Sequence, residues 1–442
     1  MRRVVGPLDR RRRVTRCQPC AQRRIKCQGG PPCDYCVRAS KTCRPQSPRA
    51  RPDDVTAIIV ACHPPPPPIR TRPRTPDDAL FLDCFASFLR RRCHLTRVFV
   101  DAAANDLARL VHESAPVKDL AVAIGALDAS RQGPVTVAAR GGREARCTAF
   151  RAYGRAMSRL QTRLSDPDAV AGEDVVWSTF LLGLFELMAE ASGDGWATHM
   201  FYGTARVLQL AGPGQVLPHR RGLFGAFRVL EATRAIIYGH DTFLSGDAWR
   251  SVVDGDAANP MVAVLDLMIR ASSFSKRFFT NIEGIPPRAR PYSPVIDSLA
   301  RDGVALFDLI HAWEGATPTE PFAELANANH RALELFFCRN FTYYDCWLER
   351  KVPRLEPRER GAHVEGVLRA CEAVQQSGIP GALLLFPLRM AGANTADAKQ
   401  KKRILRLLGG IYAQGFVVAD RITTDLHEYW QYQEEVAQAS MT

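Results

Sequence analysis

Long apolar runs are missing from this 442-residue chain. The longest charge-free, strongly apolar stretch, Val175 to Phe185, has eleven residues, whereas a helix that crosses a bilayer needs about 20. No apolar stretch follows Met1-Arg2-Arg3, so neither a membrane span nor a secretory leader is expected, and the reading is a soluble, intracellular protein. Catalytic signatures are equally scarce. G-x-G-x-x-G, G-x-x-x-x-G-K-[ST], H-E-x-x-H and G-x-S-x-G do not occur, and no enzyme is expected. Alternating strand patterns are rare. Lys and Arg are absent from 424–442.

Acidic side chains are also nearly absent from one end. Residues 1–76 hold 4 acidic and 18 basic side chains, a local +14, while residues 77–442 hold 42 acidic and 41 basic. The formal net charge of +13 therefore belongs to an N-terminal arm carried by a near-neutral body. That asymmetry points to a polyanion, nucleic acid first, as the arm's partner. With 46% hydrophobic residues overall, the body has the material for a sizeable core, which excludes general disorder.

What is present in quantity is cysteine, in one place. Six of the thirteen fall between Cys17 and Cys43. Cys17, Cys20 and Cys27 are separated by two and then six residues, and Cys33, Cys36 and Cys43 repeat that spacing after a five-residue connector. A structural zinc takes four ligands, so six thiolates are too many for one site and too few for two independent ones. Two zinc ions are satisfied if two sulfurs, at equivalent positions of the duplicated unit, bridge both metals. The cluster then carries about −2, counting six thiolates and two zinc ions. The competing disulfide framework allows about fifteen pairings. It fits poorly with an odd cysteine total, no leader, and flanking basic residues that favour thiolate. The other seven, Cys62, Cys84, Cys93, Cys147, Cys338, Cys346 and Cys371, read as buried thiols in a reducing compartment.

The segment RCQPCAQRRIKCQGGPPCDYCVRASKTC resembles the fungal binuclear zinc cluster, the six-cysteine DNA-binding module of fungal transcription regulators. The resemblance implies that Cys17 and Cys33 bridge, with Cys20 and Cys27 completing one zinc site and Cys36 and Cys43 the other. Pro31, two residues before the fourth cysteine, matches the family. The resemblance also implies that Arg23 and Arg24 read bases, with Lys26 close to the groove, on a CGG-like half-site whose guanines present N7 and O6 acceptors. Ala21 and Gln28 depart from the Arg or Lys and the Asp that the family commonly has there, and neither is a metal ligand. The run Arg10-Arg11-Arg12-Arg13 suits nuclear import or phosphate contact.

Residues 44–77 are rich in proline, with five in a row from Pro64 to Pro68, and read as a semi-rigid polyproline spacer. The prolines end the apolar patch Asp54 to Cys62 before heptads accumulate, so no zipper is expected there. Helical periodicity begins at Leu80. Leu80, Phe81, Cys84, Phe85 and Phe88 share a face; so do Trp177, Phe180, Leu181, Leu184, Phe185 and Met188; and so do Leu333, Phe336, Phe337, Phe341, Tyr344 and Trp347. The runs TFLLGLFELM, GWATHMFYGTARVLQLAGP and LLLFPLRMAGANT resemble the fungal-specific transcription factor domain. His199, among Trp196 and Met200, reads as a packing residue, and Gly203 as a point of close helix approach. Leu426, Tyr429 and Trp430 read as the face of a last amphipathic helix in preference to an activation segment.

The expected fold is mostly α: a basic arm (1–16), a two-zinc six-cysteine cluster (17–43), a proline-rich linker (44–77) and a large all-α regulatory domain (78–442). The expected function is a nuclear, sequence-specific DNA-binding regulator of RNA polymerase II transcription with two structural zinc ions. Double-stranded DNA is its partner, no membrane is, and the body is left to a homodimer, the transcription machinery or a small-molecule effector. Two alternatives stay open: an interaction protein whose cluster no longer reads DNA, which Ala21 favours, and a regulator controlled by an effector in its helical domain.

Overall fold

The computed structural model describes residues 36–37, 78–92, 101–132, 138–166, 172–192, 203–215, 221–250, 252, 260–317, 321–377 and 381–441. The chain divides into two compact units, Met1–Pro73 and Arg74–Thr442. In the first, the described residues are Cys36 and Val37, which lie in helix. In the second, every regular element among the described residues is helical, in agreement with the all-α expectation.

Helix α1 (Asp78–Arg92), α2 (Asp101–Glu113), α3 (Ala115–Gln132), α4 (Ala138–Leu164) and α5 (Glu173–Ala189) build the first half of this unit, with α3 packed against the other four. Gly125 lets α1 lie directly on α3: a Cβ there would land on the Phe81 carbonyl oxygen and 2.9 Å from the Phe85 nitrogen. Phe85 and Phe88 are buried as the apolar face requires, but Leu80, at the first turn of α1, is 58% exposed. Helix α5 is apolar on all sides, and every residue from Val175 to Met188 is buried, the behaviour of a helix without a polar face. Its one buried carboxylate, Glu186, accepts a 2.5 Å hydrogen bond from the Tyr153 hydroxyl of α4, whose ring stacks on Phe185 at 4.7 Å. Burial holds both groups in their protonated forms more firmly than water would.

The chain continues through α6 (Ala205–Ala211), which Gly212 ends at φ 79°, then α7 (Arg221–Tyr238), the short α8 (Asp247–Arg250) and α9 (Pro260–Gly284). Helices α10 (Pro294–His311), α11 (Pro321–Thr342), α12 (Pro357–Gln376), α13 (Leu385–Ala393), α14 (Ala398–Ala413) and α15 (Val418–Met441) complete it. The α9, α10 and α11 helices meet in a ring cluster. Phe278 lies 4.9 Å from Phe341, and Phe341 lies 5.1 Å from Trp347. Gly303 of α10 leaves the space that the Phe341 ring fills.

Three expectations are corrected here. The face written from Leu333 to Trp347 is not one helix: α11 stops at Thr342, and the Trp347 indole folds back to donate a 2.8 Å hydrogen bond to the Phe341 carbonyl. Tyr344 and Trp347 are buried all the same, while Leu348 turns at φ 50°, a left-handed conformation uncommon for a branched aliphatic residue. Gly203 is not a tight approach, since a Cβ there would make an ordinary 3.6 Å contact with Thr179. Of the scattered cysteines, Cys338, Cys346 and Cys371 are buried, whereas Cys84 and Cys147 are only half-buried; Cys62 and Cys93 lie outside the described residues.

Two features lock the C-terminal helices. Arg403 of α14 reaches Glu365 at 2.8 Å and Glu372 at 2.9 Å, both on α12, so part of the charge of this basic helix is met within the fold. Trp430 of α15 donates a 2.8 Å hydrogen bond to the Gly392 carbonyl, which makes Leu426 and Trp430 a buried face, as the amphipathic-helix reading expects. Among the described residues no helix is long and apolar enough to cross a membrane.

Replacing Gly125 with alanine is expected to force α1 off α3 and lower the urea midpoint by the equivalent of about 1–3 kcal/mol. Gly203→Ala, where a Cβ has room, is the control and should leave the midpoint within about 0.5 kcal/mol.

Candidate functional site

Of the predicted metal ligands, only Cys36 lies among the described residues; it is 1% exposed, with Val37 beside it 61% exposed. Cys17, Cys20, Cys27, Cys33 and Cys43, the predicted DNA contacts Arg23, Arg24 and Lys26, and the import candidates Arg10, Arg11, Arg12 and Arg13 lie outside the described residues. So do Trp196 and His199.

Within the helical unit, titratable side chains converge at one place. His330, Glu334 and Cys338 follow one another at four-residue spacing on α11 and therefore share a face. His311 closes α10, and His363 lies in α12. The three imidazoles surround one carboxylate that is 3% exposed. His311 Nδ1 lies 2.9 Å from Glu334 Oε1. His363 Nδ1 lies 3.1 Å from Oε2, but off the line of a hydrogen bond and with no other partner. His330 Nδ1 is 3.8 Å from Oε2, while its Nε2 donates a 2.7 Å hydrogen bond to the Ile310 carbonyl.

That last bond fixes the tautomer. A neutral His330 carries its proton on Nε2, so a lone pair on Nδ1 faces the Glu334 carboxylate. Burial holds the His330 and His363 imidazoles below the ordinary histidine range, against the pull of Glu334 and with help from nearby Arg331. Trp313 lies 4.7 Å from the His330 ring, which adds to its desolvation, and Phe307 lies 5.9 Å from His311. Cys338 is pushed up by burial and by Glu334, which favours the thiol over the nucleophilic thiolate. Among the described residues no group of three or more His, Cys, Asp or Glu is placed to hold a metal ion. The chemical consequence of this burial is that His330 and His363 resist protonation in the folded chain. The cluster's signal was in the sequence, as the His-x3-Glu-x3-Cys spacing, but only packing brings His311 and His363 to it.

The sign of the resulting pH effect follows from the direction of the shifts. Above the unfolded histidine value of about 6.5, both states are neutral and nothing is lost. Below it the unfolded chain binds protons that folded His330 and His363 refuse, so stability falls with pH until their folded values are passed. The urea midpoint should therefore drop between pH 7.5 and 5.5, by no more than about 1.4 kcal/mol per group for each unit of separation. The double variant His330→Gln/His363→Gln should flatten that dependence; an unchanged slope would remove these two groups as its cause.

The fungal specific transcription factor domain matches residues 85–437. No curated protein and no solved structure matches the chain. The match runs from the second turn of α1 into α15 and so takes in the ring cluster, the carboxylate–histidine cluster and the helices that hold them. The chain belongs to the fungal-specific transcription factor domain family.

Proposed function

We propose that this transcription regulator recognises double-stranded DNA through residues 17–43, folded around two zinc ions, and that the helical unit serves regulation or assembly. The observation that carries the reading is the duplicated two-and-six cysteine spacing, which suits two bridged metals and neither a disulfide framework nor independent fingers. Membership of the fungal-specific transcription factor domain family supports it, since that family consists of transcription regulators rather than enzymes. The buried position of Cys36 is what a ligand in such a cluster requires.

In this reading Cys17 and Cys33 bridge, Cys20 and Cys27 complete one site, and Cys36 and Cys43 the other. Zinc supplies the folding energy of a module too small to have a core of its own. With every position filled by sulfur, no coordination site is left for a substrate. Arg23 and Arg24 read the guanines of a CGG-like half-site, and Lys26 and the Arg10–Arg13 run supply phosphate contacts. The excess charge of residues 1–76 makes binding steeply salt-dependent. Work on DNA places the protein in the nucleus, with Arg10–Arg13 as its import signal.

Gel-shift titrations against CGG-containing and scrambled duplexes test this. Arg24→Ala should weaken the CGG complex by about 1–3 kcal/mol while changing the scrambled one far less. Equal losses on both would end the base-reading role and favour an interaction protein. Chelation should abolish binding together with the fold of the module; CGG binding that survives complete zinc removal would overturn the metal assignment.

A further inference from the structure

Helix α7 is buried along nearly its whole length, yet it carries charge. Arg228 is 3% exposed, and Glu231 and Arg234 are 0% exposed. The last two satisfy each other: Arg234 Nε donates to Glu231 Oε2 at 2.8 Å and a second guanidinium nitrogen donates to Oε1 at 2.7 Å. The remaining Arg234 nitrogen donates to His240 Nδ1 at 2.7 Å. Both oxygens of the only acid on this helix are thus taken.

Arg228 is left over. Among the described residues it makes no hydrogen bond and no ion pair within 4 Å. The nearest acidic influence on it is Asp266 of α9, which is already paired with Arg270 at 3.0 Å. Burial acts against the charged form of Arg228, but a guanidinium does not give up its proton in a protein. One positive charge therefore stays in the interior without a counter-charge, a state that is costly unless a partner arrives. None of its nitrogens is among the fully enclosed side-chain atoms that lack partners. Part of the small exposure that Arg228 keeps therefore falls at its guanidinium.

We propose that Arg228 anchors a small-anion site in the helical unit and that the ligand presents a single carboxylate. One uncompensated positive charge calls for a monoanion, and Asp266 nearby disfavours a second negative charge on the ligand. The guanidinium fork matches the two oxygens of a carboxylate. The residues one turn away on the same face are Phe224 and Gly225 before Arg228, and Glu231, whose oxygens Arg234 occupies, and Ala232 after it. Phe224, Gly225 and Ala232 give an apolar and partly small surround that suits an organic body on that carboxylate. This inference does not rest on the zinc cluster and survives if DNA reading fails.

Thermal unfolding of the full chain, with chloride replaced at constant ionic strength by acetate, butyrate, benzoate or inorganic phosphate, tests it. The organic carboxylates should raise the midpoint saturably and more than phosphate does. Arg228→Met should lose that rise and, freed of an unpaired buried charge, should melt no lower than the parent without ligand. Arg228→Lys keeps the charge without the fork and should bind at least tenfold more weakly; it serves as the test if the methionine variant does not fold. Asp266→Asn should leave the rise intact or enlarge it. The proposal is overturned if no carboxylate shifts the parent, if phosphate alone does, or if Arg228→Met responds like the parent. A fall of the ligand-free midpoint in Arg228→Met together with an unresponsive parent would assign Arg228 a purely structural role.

Discussion

The burial of α11 is the constraint on which the rest of the helical unit depends. This helix packs against α9, α10, α12 and α13, and along its length Leu333, Phe336, Phe337 and Phe341 are at most 2% exposed. On the enclosed side of such a helix a polar side chain has no access to water, so a polar residue there must find its partner inside. The Asn340 amide nitrogen does so by donating to Ser275 of α9 at 3.0 Å, although its Oδ1 has no partner, and Glu334 does so through histidines from both flanking helices. The ring cluster around Phe341 and the carboxylate–histidine cluster are consequences of one geometric fact, since positions 334, 337, 338 and 341 lie on successive turns of the same helix.

Charge in this unit serves mainly as internal fastening. Asp119, with a nearly enclosed carboxylate, is held by Arg155 at 2.9 Å and by Arg159 at 2.5 Å, which ties α3 to α4. Arg131 at the end of α3 donates to the main-chain oxygens of Met188 and Gly415, which joins α5 to the turn after α14. Arg403 ties α14 to α12. Such contacts use charge within the fold, in a body that carries 41 basic and 42 acidic residues over 77–442. Arg228 departs from that pattern, and for this reason it draws attention as a site. The carboxylate–histidine cluster departs from it in another way, because its balance depends on proton concentration.

The helical class, the buried character of α5 and the apolar face of α15 were legible along the chain, because each rests on residues three and four apart. The same spacing misled at two ends. Tyr344 and Trp347 continue the helical rhythm of Phe337 and Phe341 and are buried as that rhythm implies, but the chain has already left the helix, and an indole hydrogen bond to Phe341 replaces the next turn. Leu80 keeps the rhythm of α1 and is exposed all the same, in the first turn of the helix. The close approach was assigned to Gly203, where there is room, and not to Gly125, where there is none. Which helix passes a glycine cannot be read from its neighbours in sequence.

The cysteine arithmetic, the charge imbalance between residues 1–76 and the body, and the helical content were set by the sequence alone, because ligand spacing, net charge and periodicity are properties of short stretches. The partners of Glu334, the surplus of Arg228 and the space beside Gly303 were decided only by tertiary structure. Each depends on which side chains from helices distant in sequence arrive at the same buried point, and in an interior of low polarity that meeting determines whether a charge is balanced, titratable or open to a ligand.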